Sequence, residues 1–393
     1  MLGLTISSCQ SSTTALRSRP TTAPAAIVVQ RKSLTIAPAS GGNSVALPTA
    51  QATNSEASWW GLSHPERFDM TRLSRTLPAI TVAGNHFVDS SGATVVFQGV
   101  SIADPDKLVR EGQWKRELFE AINAWGANVV RVPIHPAAFR GVGRDAYFKL
   151  FDEAVIWANE NSLYMIADWH SVGNLVTGLF QHPIHNTSKQ ETYEFWRSVA
   201  YRYREVTTLA FYELFNEPTT DNGNLGVATW QQWRTVNEEL IDIIRSHGNN
   251  SIALVAGFDW AYDLSQVALA PIQRQQVAYV SHPYPQKATA PYELHWDKSF
   301  GFVAARYPLF ATEIGYMPKN AVGARDPVRN DGSYGPLITS YLAKKGASWV
   351  AWCFHPHWSP PLIDDWAYTP TSAGSYFRQV MKARRNDEIP GSE

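Results

Sequence analysis

Between Val95 and Phe354, short apolar and β-branched runs alternate with longer stretches of helical period, and this alternation restricts the chain to a parallel α/β architecture. The runs are VVFQGVSI, ANVVRVPI, LYMIADWH, LAFYELFN, SIALVAGF, VAYVSHPY, PLFATEIG and ASWVAWCF. Between them lie WKRELFEAINAWG, AYFKLFDEAVIWANEN, ETYEFWRSVAYRYRE, WQQWRTVNEELIDIIRSHG and PLITSYLAKKG, several ended by the glycine that a helix C-terminus favours. Eight such units over about 300 residues match the usual size of a (β/α)8 barrel. The competing architecture, a doubly wound open sheet, needs a strand that runs into a glycine-rich phosphate loop. No run does so, and Gly141-Val142-Gly143 reads as loop sequence.

Ahead of the alternation, the stretch from Ile80 to Val100 predicts two short strands around Gly84-Asn85, a turn at Ser90-Ser91-Gly92 and a third strand. Residues 1–58 are dominated by Ser, Thr, Ala, Pro and Gln, and too few large apolar side chains are present to offset the entropy of ordering. They are expected to form a disordered tail that the fold does not need, and residues 59–393 the (β/α)8 domain. Ile6-Ser7-Ser8-Cys9 resembles the end of a bacterial lipoprotein signal, without the basic start and apolar core that should precede it. A lipoprotein anchored through Cys9 is therefore one export route to weigh, within a general expectation of a secreted or cell-envelope protein. Cys353, the other cysteine, lies in an apolar run, so no disulfide framework is expected.

Lys plus Arg number 34 against 35 Asp plus Glu, which gives no global field toward nucleic acid or an anionic membrane. No apolar run approaches the roughly 20 residues of a membrane helix. Aromatic residues stand out instead, with 15 Trp, 16 Tyr and 17 Phe, either as core or as flat platforms in a binding groove.

The C-terminal ends of parallel barrel strands converge on one face, where chemistry collects. The residues there are Arg131 and His135; Asp168, Trp169 and His170; Asn216 and Glu217; Trp260; His282 and Tyr284; Glu313; and Trp352, His355 and Trp358. Two glutamates, Glu217 and Glu313, thus end the fourth and seventh runs. Pro218 biases Glu217 toward an extended backbone. A carboxyl kept protonated beside one kept ionised is the equipment for acid-assisted glycosidic cleavage.

With this ordered set in hand, the chain resembles glycoside hydrolase family 5, the cellulase-type retaining barrel glycosidases, from about Gly84 to Phe377. The resemblance implies that Glu217 in Asn216-Glu217-Pro218 is the acid/base and Glu313 in FATEIGY the nucleophile. It further implies that Arg131 orients the nucleophile, His170 and Asn216 contact the sugar, His282 and Tyr284 support the glutamates, and Trp352 floors the subsite before the bond. Trp260 is expected among the substrate-binding residues, and the Trp352-Cys353 peptide bond is expected to be cis. The implied activity is a retaining endo-β-1,4-glucanase acting as a monomer on β-glucan, with no metal or organic cofactor. Mannan, as well as xyloglucan, lichenan and other β-glucans, remains open as a substrate. The departures are Cys353, where a small polar residue is commoner, and the long tail.

Two rival readings stand beside it. His135, His170, His282 and Asp168 on one rim could bind a metal, although that leaves Glu217 and Glu313 without a role. A barrel that binds carbohydrate without catalysis would normally have lost one glutamate. His295, His355 and His357 are expected to line loops or face solvent. Asp364-Asp365 reads as a solvated loop or a calcium or substrate site, and Trp358, Trp366 and Tyr368 as groove or packing residues.

Overall fold

The computed structural model describes residues 59–387. The expected tail, residues 1–58, and Cys9 lie outside the described residues. Eight parallel strands close into a barrel: β1 (Gln98–Ser101), β2 (Val129–Ile134), β3 (Tyr164–Trp169), β4 (Phe211–Glu213), β5 (Ile252–Ala256), β6 (Val277–Val280), β7 (Leu309–Ile314) and β8 (Ser348–Ala351). Each pairs with its sequence neighbours, and β8 closes onto β1. All eight apolar runs became barrel strands.

Strand side chains alternate between faces, and the barrel sorts them by that period. Val130 and Val132, Met165 and Ala167, Tyr212, and Ala253 and Val255 point outward into the layer shared with the helices. Phe97, Val129, Ile166, Phe211, Ile252, Leu254, Ala278, Val280, Phe310 and Val350 fill the lower interior. The inward positions one pleat higher are Ser101, Arg131, Asp168, Glu213 and His282, so the polar layer sits directly on an apolar plug. Gly99 is required where β1 crosses β2, because a Cβ there would lie 1.8 Å from the Val129 carbonyl oxygen.

The expected N-terminal strands are present as Thr81–Ala83, His86–Val88 and Thr94–Val95, an antiparallel sheet turned at Gly84, whose φ is +62°. The sheet places Phe87 under the barrel, with its ring centroid 5.2 Å from that of Phe211 and 5.9 Å from that of Phe310. The open lower end is thereby sealed with aromatic surface.

The five predicted helices appear as Arg116–Ala124, Arg144–Glu160, Lys189–Arg202, Trp230–Ser246 and Tyr334–Lys344. Thr229 and Gln232 form a reciprocal capping box at the start of the fourth. Pro105–Arg110 and Pro136–Val142 are further helices whose prolines occupy the first helical turn, where proline fits but reads in sequence as a breaker. Tyr292–Ser299 and Ser372–Asp387 complete the ring. The fifth crossover differs: after β5 come only the short segment Phe258–Ala261 and the 3-10 turn Ser265–Ala268. Among the described residues no helix is long and apolar enough to cross a membrane.

Candidate active site

Glu217 and Glu313 reach the same point by different local devices. Beyond β4 the backbone amides of Asn216 and Glu217 donate to the carbonyls of Trp169 and Ser171, and Glu217–Pro218 pairs in parallel with Val172–Gly173. The carboxyl is therefore carried by extended backbone, as Pro218 favours. In β7 the register with β8 slips by one residue between Ala311 and Ile314. Such a bulge re-aims side chains, and both Thr312 and Glu313 turn toward the barrel axis.

Arg131 lies fully buried beneath them. Its guanidinium donates to Glu213 at 2.6 and 3.1 Å, to Glu313 at 2.8 Å and to Asn216 at 2.6 Å, and pairs with Asp168 at 2.9 Å. Burial works against its charge, but the carboxylates of Asp168, Glu213 and Glu313 hold its pKa well above the ordinary value. The Tyr284 hydroxyl donates to the other Glu313 oxygen at 2.7 Å. Burial raises the Glu313 carboxyl above the usual range, against the pull of His282, Arg131 and the Tyr284 hydroxyl. That direction is opposite to what Arg131 and Tyr284 would give alone.

His282 connects the carboxylates. Its Nδ1 is 3.1 Å from Glu217 Oε1 and 3.8 Å from Glu313 Oε2, and its Nε2 is 3.0 Å from the Thr312 hydroxyl and 3.5 Å from Glu213. Burial disfavours the imidazolium, yet Glu313, Glu213 and Glu217 raise its pKa to about 9. Glu213, despite burial, is held down to about 2 by Arg131 and His282. The His282 shift has a consequence for stability. A folded value above the ordinary 6.5 gives stability that is fully present below pH 6.5 and lost as pH rises through about 9. The thermal midpoint of the domain is expected to fall across that window, and His282→Asn to flatten the fall; a wild-type midpoint constant from pH 6.5 to 9 would count against a charged His282.

On the far side of Arg131, Asp168 Oδ2 lies 2.6 Å from His170 Nδ1, while Asp168 Oδ1 is buried without a partner. Burial pushes the Asp168 carboxyl well up and the His170 imidazole well down. His170 stacks parallel to Trp352 at 5.4 Å, and Trp352 lies 5.6 Å from Trp358. The Trp352–Cys353 peptide bond is cis, as the resemblance implied.

These groups open into a cavity of about 550 Å3. His170, Asn216, Glu217, Trp260, Tyr284, Glu313 and Trp352 line it, and Arg131 and His282 support the glutamates from behind. Three strand-end residues go elsewhere. Trp169 points outward, stacked on Phe195 at 4.1 Å, because it follows inward-facing Asp168 by one position. His135 is held by Asp104 at 3.2 Å and packs on His170. His355 does not face solvent: it is buried, 2.7 Å from Glu111. Asp365 caps its own turn by accepting from Ala367, Thr369 and the Thr369 hydroxyl.

Glu213, His185 and Lys287 were not singled out from sequence. Glu213 had a signal, since it is a charged residue inside an apolar strand and shares strand parity with Glu217. His185 and Lys287 arrive from loops whose course no periodicity reports.

Glu217, His282 and Glu313 each present a ligand atom within 4.8 Å of the others. Among the described residues this is the metal-capable group, rather than His135, His170, His282 and Asp168 together. Binding there needs a deprotonated imidazole nitrogen, and a proton held to about 9 competes for it.

A closed parallel barrel whose fourth and seventh strands bring paired glutamates into an indole-walled groove is the architecture of a carbohydrate-active barrel. The chain belongs to glycosyl hydrolase family 5: the family model for cellulase (glycosyl hydrolase family 5) matches residues 88–357. Among curated relatives, endoglucanase A of Butyrivibrio fibrisolvens is 28% identical over 212 residues, 52% of this chain and 45% of that protein. Cellulase CelDZ1 of Thermoanaerobacterium is 26% identical over 237 residues, 58% of this chain and 57% of that protein. The chain thus spans about half the length of these curated relatives. A solved structure of the β-glucanase SdGluc5_26A from Saccharophagus degradans, in complex with cellotetraose, is 47% identical with a TM-score of 0.81, and covers 83% of this chain and 99% of that one.

Proposed function

We propose that the chain is a retaining endo-β-1,4-glucanase of the cellulase type that cleaves internal β-1,4 bonds of a glucan by double displacement. The observation that carries this reading is the proximity of Glu217 and Glu313, which present oxygens within 4.8 Å of each other, both beside Nδ1 of His282. Retaining enzymes keep their carboxyls about 5–5.5 Å apart, whereas inverting ones leave roughly 6.5–9.5 Å for a water. The cellotetraose complex of the Saccharophagus β-glucanase supports a β-glucan as substrate.

In this mechanism Glu313, its two oxygens oriented by Arg131 and Tyr284, attacks the anomeric carbon. Glu217, half-buried at the cavity wall, gives its proton to the departing glycosidic oxygen. The glycosyl–Glu313 ester then reacts with water, from which Glu217 takes a proton. Burial raises the Tyr284 pKa well above the ordinary phenol value, so it remains a donor throughout. Trp352 beside His170 offers an apolar face to the glycone ring. Because a polysaccharide is too large to enter a cell, the reading includes a secreted or cell-envelope protein, acting as a monomer.

The reading is tested by incubating purified protein with carboxymethyl cellulose, barley β-glucan, galactomannan, xylan and xyloglucan, and following the first-formed anomer by NMR. β-Anomer release from a β-1,4-glucan is expected. α-Anomer release would remove the double displacement, and preferred cleavage of galactomannan or xyloglucan would move the substrate. Binding without any reducing ends over days would leave a carbohydrate-binding barrel.

A further inference from the structure

The wall of the cavity opposite Trp352 carries a feature that the two-glutamate chemistry does not use. Asp259, Trp260 and Ala261 have φ values of +59°, +54° and +59°. Non-glycine residues enter this left-handed region singly, and three in succession are strained backbone that persists where the surroundings hold it. The surroundings are visible. Lys287 Nζ donates to the Asp259 carbonyl at 2.9 Å and to its carboxylate at 3.2 Å, and sits 4.4 Å from the centroid of the Trp260 ring. Only 14% of the Lys287 side chain is exposed. An ammonium over an indole face is attracted by the ring quadrupole, and two of its three donors are committed to the strained turn. Lys287 therefore fixes both the turn and the ring that the turn displays.

Topology says which sugar this ring meets. Around the barrel, β4 with Glu217 and β7 with Glu313 divide the rim into two arcs. The arc through β8, β1, β2 and β3 carries Trp352 and His170; the arc through β5 and β6 carries Trp260 and Lys287. Resting on the mechanism proposed above, the Trp352 arc holds the glycone, which leaves the Trp260 arc to the sugar that departs. We propose that Lys287 is a positioning residue and specificity determinant of the leaving-group side, acting by clamping Trp260 as a platform for the departing, or the accepting, pyranose. The class of ligand is a neutral β-linked glucosyl unit, which needs a flat apolar face more than a charge.

The test uses the partition of one intermediate. With dinitrophenyl β-cellobioside as donor and methyl β-cellobioside as acceptor, the glycosyl-enzyme yields either a transfer product or, with water, cellobiose. Lys287→Met is expected to lower the ratio of transfer to hydrolysis about fivefold or more, of the order that loss of a cation–π contact allows. Lys287→Arg should recover most of the ratio, and Trp260→Ala should fall at least as far as Lys287→Met. An unchanged ratio in Lys287→Met, including one where both products decline together, would overturn the proposal as a merely structural role. Failure of the wild-type protein to release dinitrophenolate would instead sink the glycosidase reading, and this inference with it.

Discussion

Glu313→Ala is expected to lose turnover of both polysaccharide and activated aryl cellobiosides, on the order of 10^4-fold or more, because in the proposed double displacement Glu313 is the group that attacks the anomeric carbon. Glu217→Ala is expected to behave differently. A dinitrophenolate needs no proton to depart, so the glycosyl-enzyme should still form from the aryl substrate and accumulate as a burst. On polysaccharide, where the leaving group is an alkoxide, the same variant should lose roughly 10^2–10^4-fold. Azide supplied to Glu217→Ala should restore turnover of the aryl substrate by attacking the intermediate without base assistance. The contrast rests on the geometry: Glu313 is held at both oxygens by Arg131 and Tyr284, whereas Glu217 touches His282 and is the more exposed of the two, at 17% against 6%. Opposite behaviour of the two variants means that the roles are exchanged. Full polysaccharide turnover in either would remove the mechanism from these positions.

Much of the fold was open to the sequence because the barrel needs only two periodicities. Eight apolar runs of strand length and five amphipathic stretches were enough to state the closed parallel sheet, and the rim residues followed from the rule that strand ends face one way. The failures have physical causes. Strand-end position alone groups Trp169 with Asp168 and His170, yet it is one pleat out of phase and belongs to the helix layer. The bulge in β7 breaks strict alternation, so Glu313 could be found at a strand end but not aimed. Glu213 escapes a reading of the sequence because a strand that is apolar on average hides a single charge whose partners, Arg131, Thr312 and His282, all come from other barrel units. Lys287 and His185 were beyond reach, since the left-handed turn at Trp260 and the loop at Pro183–His185 come from side chains that meet only after the barrel closes.

Arg131→Met should be the most damaging substitution for stability, and the reason is electrostatic rather than steric. The guanidinium is buried with Asp168, Glu213 and Glu313, all themselves buried, so its removal leaves like charges facing each other without water. Breaking a buried ion pair from one side costs about 3–5 kcal/mol, and in a domain of this size the thermal midpoint should drop by about 4–7 °C. The chain can relieve the strain only by protonating carboxylates. Glu313 is the natural candidate, since burial already raises it and Arg131 is among the groups that oppose this. Residual activity in Arg131→Met should therefore shift its acid limb toward higher pH, as Glu313, the proposed nucleophile, ionises later. Arg131→Lys keeps one charge but cannot span Glu213, Asn216 and Glu313 at once, so it should fall between the two. Adding Glu213→Gln to Arg131→Met removes one of the stranded charges and should return part of the lost midpoint, although Glu213→Gln alone is expected to destabilise. Calorimetry of the four proteins resolves the matter: if the double variant melts below Arg131→Met by the full cost of Glu213→Gln, the buried charges are not coupled through Arg131, and the electrostatic account of this layer fails.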